Sequence, residues 1–198
     1  MNFSAVILAG GKSSRMGRDK AWLEIGGQTL LARQIGMARA LGALEVFLSG
    51  RTDADYSGFG CDVLHDKYVN AGPLAGIERA LNAMRSPLLL VLAVDLPAMK
   101  PDLLLRLAAG SSSLGAIPCV NGRLEPLAAL YPKTARELAQ DHLQRGLLAV
   151  KDFASRCMRM GLAHRVEFPA SESRFFASWN SPADLTRAAV ANSFSHES

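Results

Sequence analysis

The residues best suited to chemistry lie between positions 8 and 20, in the stretch Leu-Ala-Gly-Gly-Lys-Ser-Ser-Arg-Met-Gly-Arg-Asp-Lys. Gly10 and Gly11 carry no Cβ, so the backbone there can approach a ligand closely. Free N–H groups in such a loop can form a nest for an anion, and Arg15 and Lys20 add positive charge. The stretch is typical of a loop that holds nucleotide phosphates, although an ordinary glycine-rich turn has the same composition.

Two familiar phosphate-binding motifs do not fit this stretch. A Walker A loop places four residues between its first glycine and Gly-Lys-Ser/Thr. Here five residues separate Gly11 from Gly17, and Arg18 stands where the lysine belongs. The dinucleotide fingerprint G-x-G-x-x-G is also missing from the stretch. A nucleotide site here would therefore be of another class, and an ordinary glycine-rich turn remains the alternative.

Two apolar runs predict the strands that position this chemistry. Residues 5–8 form a short run that ends at glycine, which indicates a buried strand. Residues 88–94 are apolar without alternation, as expected of a central parallel strand covered on both faces. Open α/β sheets bind ligands at the carboxyl ends of their strands. Asp95, which follows the second run, should therefore lie beside the glycine loop, and we favour metal ligation over a turn or capping role.

The rest of the chain alternates between strand and helix patterns. Helices are predicted after an N-cap at Thr29, from Pro73 and Pro101 at first helical positions, and over residues 133–145 and 147–160. Further strands are predicted over residues 44–48, 61–65, 115–120, 126–130 and 164–168, with a hairpin-type turn at Asn121-Gly122. This order predicts a three-layer α/β domain with a mostly parallel sheet. We expect a single domain over residues 1–190 and a flexible tail over residues 191–198.

Composition excludes several classes of protein. The length of 198 residues and the hydrophobic fraction of 49% suit one globular domain. The net charge of +4 comes from scattered residues, without the basic and aromatic groove of a nucleic-acid binder. Three dispersed cysteines and four dispersed histidines predict neither a disulfide framework nor a zinc site. With no signal peptide and no apolar run of membrane length, we expect a cytoplasmic protein that does not bind membranes.

The ordered string L-A-G-G-x-S-x-R-M-G-x-D-K closely resembles the signature loop of nucleotidyltransferases, and specifically of the molybdenum cofactor guanylyltransferases. The resemblance continues in G-P-L-A-G-I at residues 72–77, in N-G-R at residues 121–123 and in a closing motif at residues 175–185, and so covers nearly the whole chain. It implies a Rossmann-like nucleotidyltransferase domain that transfers GMP from GTP to a molybdopterin-type cofactor. Three alternatives stay open: a cytidylyltransferase on the same cofactor, a sugar- or alditol-phosphate nucleotidyltransferase, and a nucleotide-binding module without turnover.

The resemblance also implies roles for individual residues. The backbone of Leu8, Ala9 and Gly10 would face the base, Gly11 would complete the turn, and Arg15 and Lys20 would neutralise the triphosphate. Asp95 would hold Mg²⁺. Further nucleotide contacts are implied at Ser49, Asp66, Gly72 and Asn180. Two serines, Ser49 and Ser178, stand where asparagine is familiar in the family. Cofactor-biosynthesis proteins and molybdoenzymes are the implied protein partners.

Overall fold

A mostly parallel sheet runs through the computed structural model, which describes residues 1–10, 19–68, 70–109 and 113–179. The strands are β1 (Phe3–Leu8), β2 (Glu24–Ile25), β3 (Gln28–Thr29), β4 (Val46–Ser49), β5 (Asp62–Leu64), β6 (Leu88–Ala93), β7 (Gly115–Val120), β8 (Arg123–Leu124), β9 (Ala128–Pro132) and β10 (Ala163–Phe168). The helices are α1 (Leu30–Ala40), α2 (Pro73–Ala83), α3 (Pro101–Ala109), α4 (Arg136–Gln144) and α5 (Val150–Arg159). Strands and helices alternate along most of the chain, as predicted.

The main sheet has the strand order β10-β7-β9-β6-β1-β4-β5. The short strand β8 lies outside this order and pairs with β7. β1 lies between β4 and β6 and is parallel to both. β9 runs antiparallel between β6 and β7. The register pairs Leu8 with both Ser49 and Ala93. β1, β4 and β6 therefore end level, and the segments that follow them meet at one edge.

Helices cover both faces of the sheet, which confirms the three-layer prediction. Alternate residues of β1 point to opposite sides: Ala5 and Ile7 pack with α1 and α3, whereas Val6 and Leu8 pack with α2, α4 and α5. β6 divides its leucines in the same way. Both faces of these central strands are buried, which explains why their sequences are apolar without alternation.

The predicted ends of several elements agree with the structure. The Thr29 hydroxyl accepts a hydrogen bond of 3.1 Å from the Ala32 N–H and caps α1. Pro73 is the first residue of α2 and follows Gly72, whose φ of 67° favours glycine. The Asn121-Gly122 turn has positive φ at both residues, 51° and 73°, as its sequence predicts.

Other boundaries differ from the predictions. β9 begins at Ala128 instead of residue 126, because residues 125–127 form a turn in which the Ala128 N–H donates to the Glu125 carbonyl at 3.2 Å. A 3-10 turn, Lys133–Ala135, precedes α4. A longer 3-10 helix, Ala170–Phe176, follows β10 and was not predicted. Residues 180–185 of the closing motif lie outside the described residues.

No helix in the described ranges combines the length and the apolar character that crossing a bilayer requires.

Candidate active site

The ends of the three central strands are tied together by backbone hydrogen bonds. The Ser49 carbonyl accepts from the N–H groups of Ala9 and Gly10, at 2.8 and 3.0 Å. The Leu8 carbonyl accepts from the Val94 N–H at 3.1 Å. The N–H groups of Ala9 and Gly10 are therefore already engaged. The backbone at this edge is fixed by these hydrogen bonds.

A cleft of about 170 Å³, here called the first cleft, opens at this edge. Its lining includes Leu8, Ala9, Gly10, Lys20 and Asp95, which the sequence analysis had placed in one site. Asp19, Pro73 and Leu127 also line it and had not been singled out. Gly72 is the N-cap of α2, and the next residue, Pro73, lines the cleft. Gly11, Arg15 and Asn180 lie outside the described residues.

Lys20 and Asp95 form an ion pair across the first cleft. The Lys20 Nζ lies 3.1 Å from the Asp95 Oδ2, and the two side chains are 17% and 21% exposed. Local structure fixes both residues: the Asp19 carboxylate accepts from the Ala21 N–H at 3.1 Å, and the Asp95 carbonyl accepts from the Trp179 N–H at 2.9 Å. A cation and a carboxylate are therefore held side by side where the strands end.

Ser49 and Asp66 are not among the residues that line the first cleft. Ser49 is only 5% exposed. Burial raises the pKa of the Asp66 carboxyl, and the nearby Ser49 hydroxyl offsets part of that rise. Ser49 supports the loop after β1 through its carbonyl, which accepts the hydrogen bonds from Ala9 and Gly10.

The described residues contain no cluster of three or more metal-ligating side chains. Asp95 and Asp19 nevertheless line the same cleft. Mg²⁺ usually binds one or two protein carboxylates and completes its octahedron with water and substrate phosphates. The donor set of this cleft therefore fits a magnesium ion that shares its coordination with a nucleotide.

A second cleft, of about 300 Å³, begins on the other side of Asp95. The two clefts share Ala93, Asp95 and Leu127. The second cleft is further lined by Glu125, Lys151, Phe176 and Ser178. The sequence analysis did not single out Glu125 or Lys151, although Glu125 follows directly on the N-G-R string. The arrangement offers two adjoining ligand sites with one carboxylate between them.

Comparison with known proteins identifies the family. A model of the MobA-like NTP transferase domain matches residues 5–158. The chain belongs to this family. A probable molybdenum cofactor guanylyltransferase from Opitutus terrae is 36% identical over 189 residues, covering 93% of each chain. The molybdenum cofactor guanylyltransferase of Xanthomonas euvesicatoria is 33% identical over 189 residues, again covering 93% of each.

Solved structures of MobA-like transferases and their neighbours share the fold. Molybdopterin-guanine dinucleotide biosynthesis protein A from Archaeoglobus fulgidus superposes with a TM-score of 0.75 at 23% identity, covering 96% of this chain and 98% of its own. A 2-C-methyl-D-erythritol 4-phosphate cytidylyltransferase from Thermus thermophilus gives 0.70 at 25% identity, covering 94% and 98%. The predicted Rossmann-like nucleotidyltransferase fold is confirmed, and the chain is a nucleotidyltransferase of the MobA-like family.

Proposed function

We propose that the protein transfers GMP from GTP to a molybdopterin-type molybdenum cofactor, releasing pyrophosphate and forming the guanine dinucleotide. The observation that carries this proposal is the pair of clefts that meet at Asp95. A transferase must hold a donor and an acceptor with their reacting groups adjacent, and the shared wall meets that need. The names of the relatives from Opitutus terrae and Xanthomonas euvesicatoria support the choice of substrates.

The reaction needs no general base. The attacking group is a phosphate oxygen that is already ionised near neutral pH, so catalysis consists mainly of alignment and charge stabilisation. Lys20 would contact the outer phosphates of GTP. Arg15 lies outside the described residues, and the same role is inferred for it from the sequence. Asp95 would hold Mg²⁺, which offsets negative charge on the phosphates, and Asp19 lines the same cleft.

The backbone at the first cleft favours guanine as the base. The N–H groups of Ala9 and Gly10 already donate to the Ser49 carbonyl, so the backbone groups that these residues would offer to a base are their carbonyl oxygens. Guanine offers an adjacent ring N–H and amino group on one edge, whereas the corresponding edge of cytosine offers acceptors beside its amino group. If cytosine occupied a site built from acceptors, the acceptors of the base and of the site would face each other without hydrogen bonds. Such a site discriminates strongly between the two bases. This supports GTP over CTP.

The proposal is tested by pyrophosphate release across the four nucleoside triphosphates, each with and without molybdopterin. We expect release that depends on both GTP and molybdopterin, together with tighter binding of Mg-GTP than of Mg-CTP in titration calorimetry. Release driven by CTP would assign the protein as a cytidylyltransferase on the same cofactor. Pyrophosphate release only with a sugar or alditol phosphate would assign the protein as a nucleotidyltransferase that acts on such phosphates. Nucleotide binding without turnover would indicate a binding module.

The proposal places the reaction in the cytoplasm, where thiols stay reduced. Cys61, Cys119 and Cys157 are free thiols, which suits that compartment. The protein partners implied by the resemblance stay predictions.

A further inference from the structure

Glu125 is held in place by its backbone on both sides. Its N–H donates to the Pro118 carbonyl at 2.9 Å, and its carbonyl accepts from the Ala128 N–H at 3.2 Å. The next residue is fixed as well, because the buried Tyr131 hydroxyl donates to the Pro126 carbonyl at 2.9 Å. The Glu125 side chain therefore starts from a preorganised turn at the wall of the second cleft.

The carboxylate of Glu125 can accept hydrogen bonds from a ligand. It is half-buried, and within the described residues its side chain makes no hydrogen bond and no close ion pair. Burial raises the pKa of this carboxyl, and the Lys151 and Arg123 cations offset part of that rise from a longer distance. A half-buried carboxylate that accepts no hydrogen bond is costly, so a ligand that donates hydrogen bonds to it gains more than it would at the surface.

The second cleft combines apolar and polar walls, as a heterocyclic ring requires. Leu127, Val150 and Phe176 line it, and Phe176 is only 6% exposed. Asp95, Lys151 and Ser178 also line it. A carboxylate at the wall of such a cleft matches a heterocycle that carries two parallel N–H donors on one edge. A 2-amino-4-oxo-pteridine has this edge, formed by the ring N3–H and the 2-amino group.

We propose that Glu125 is the specificity-determining residue of the second cleft and accepts both hydrogen bonds from the amino-oxo edge of a pterin. The inference rests on the proposed function, which supplies an acceptor of the molybdopterin type. It goes beyond that function by assigning recognition of the acceptor's ring system to one side chain. Two parallel hydrogen bonds to an ionised carboxylate are stronger and more selective than neutral ones.

The test is a fluorescence titration of the full chain with pterin and with lumazine. Both are flat and fluorescent, and lumazine carries an oxo group where pterin carries the 2-amino group. We expect the wild type to bind pterin at least about tenfold more tightly, because the lumazine oxygen would face the carboxylate. Glu125→Gln should remove most of that preference. Glu125→Asp, which keeps the charge, should retain part of it.

The matched control is Glu137→Gln on α4, where the side chain is 86% exposed and outside both clefts. It should keep the wild-type preference. Equal binding of the two compounds by the wild type, or an unchanged preference in folded Glu125→Gln, would overturn the inference. If Glu125→Gln is unfolded at the titration temperature, Glu125→Ala takes its place. Loss of the preference for pterin in Glu125→Ala would then support the inference, and an unchanged preference would overturn it.

A GMP-transfer assay on the same preparations separates the two proposals. If the wild type transfers GMP to molybdopterin while the Glu125 variants keep the pterin preference, the inference fails and the proposed function stands. If the wild type transfers no GMP, the proposed function fails whatever the titrations show. When both hold, Glu125→Gln raises the KM for molybdopterin about tenfold or more and leaves the KM for GTP unchanged.

Discussion

At the scale of single residues, the ion pair between Lys20 and Asp95 is the central feature of the first cleft. In the proposed reaction each member serves a different partner, since the lysine meets phosphate and the carboxylate meets magnesium. The two opposite charges offset each other across the cleft. In the proposed reaction Mg-GTP would give each side chain a partner of opposite charge, so neither charge would be left unpaired.

Lys20→Ala should lower turnover by a factor on the order of 10²–10³, because it removes a positioned charge from the outer phosphates. GTP binding should weaken, whereas GMP binding should change less, since GMP lacks those phosphates. Pyrophosphate release and titration calorimetry measure the two effects. The control is Lys100→Ala, an exposed lysine outside both clefts. Full activity of Lys20→Ala would show that the phosphates lie elsewhere.

Asp95→Asn should leave a folded protein whose turnover has collapsed. The asparagine keeps the size of the side chain, and the bond from the Trp179 N–H to the residue 95 carbonyl uses the backbone. The free energy of unfolding should fall by about 1–3 kcal/mol, because the largely buried Lys20 ammonium loses this charged partner. Pyrophosphate release against Mg²⁺ concentration, beside melting curves, provides the test. Normal turnover with normal metal dependence would remove Asp95 from the site.

Glu125 should make stability depend on pH in a defined direction. Folding raises the pKa of this carboxyl, so the folded chain binds the proton more tightly than the unfolded chain. Its contribution is therefore most favourable below the unfolded pKa, about 4.3 for a glutamate, and is lost as pH rises through the folded pKa. Glu125→Gln should gain stability relative to wild type between pH 4 and pH 7, measured by urea unfolding. A constant difference across that range would contradict the prediction.

At the scale of elements, α2 packs unusually closely against the strands that form the site. A Cβ added at Gly76 would collide with the Ser49 hydroxyl and lie 2.8 Å from the Ser49 Cβ and 2.9 Å from the Leu8 Cδ2. Both neighbours belong to the edge that supports the glycine loop. The absence of a side chain at Gly76 thus sets how near the helix can approach.

Gly76→Ala should destabilise the protein by about 1–3 kcal/mol, because an added methyl group in a close-packed contact forces its neighbours apart. The matched control is Gly36→Ala in α1, where no atom lies within 4 Å of the added Cβ. That change should stabilise by about 0.5–1 kcal/mol, since alanine is the better helix former. Urea unfolding of both variants measures the difference. Equal effects at the two positions would mean that the Gly76 contact relaxes freely.

Element ends were predictable wherever a local group sets them. Thr29, Pro73 and Asn121-Gly122 act through their own side chains and backbone preferences, and the structure confirms all three. The turn at residues 125–127 was not predictable. It depends on distant partners, since the Leu127 carbonyl accepts from the Ala93 N–H at 2.9 Å and Tyr131 bonds to Pro126. The second cleft stayed hidden because that turn forms its wall.

At the scale of the whole molecule, strand order was beyond the reach of sequence patterns. A pattern shows that a segment is a strand, but the pairing of β9 between β6 and β7 depends on contacts across the chain. The first cleft could still be inferred, because Leu8 is the last residue of one buried strand and Asp95 follows another. Open α/β sheets bind ligands at the carboxyl ends of such strands. No comparable rule points to Lys151 in the first turn of α5.

The continuous sheet should make the described part of the chain unfold as one cooperative unit. β6 pairs with β1 on one side and with β9 on the other, so the same strand joins both halves of the sheet. We expect one calorimetric transition whose enthalpy equals the van't Hoff enthalpy. Two resolved transitions would show that the segments before and after β6 fold as separate units.

The sequence positions of the residues that line the two clefts have a consequence for how new specificities can evolve. Among the described residues, every one that lines the first cleft except Leu127 comes from position 95 or earlier, and most of those that line only the second come from position 125 or later. In the proposed function, most of the donor site and most of the acceptor site would then be encoded in separate stretches of the gene. Recombination near the middle of the gene would replace the acceptor site and keep the donor site. We therefore expect relatives that use other acceptors to differ from this chain mainly in the second half of their sequences.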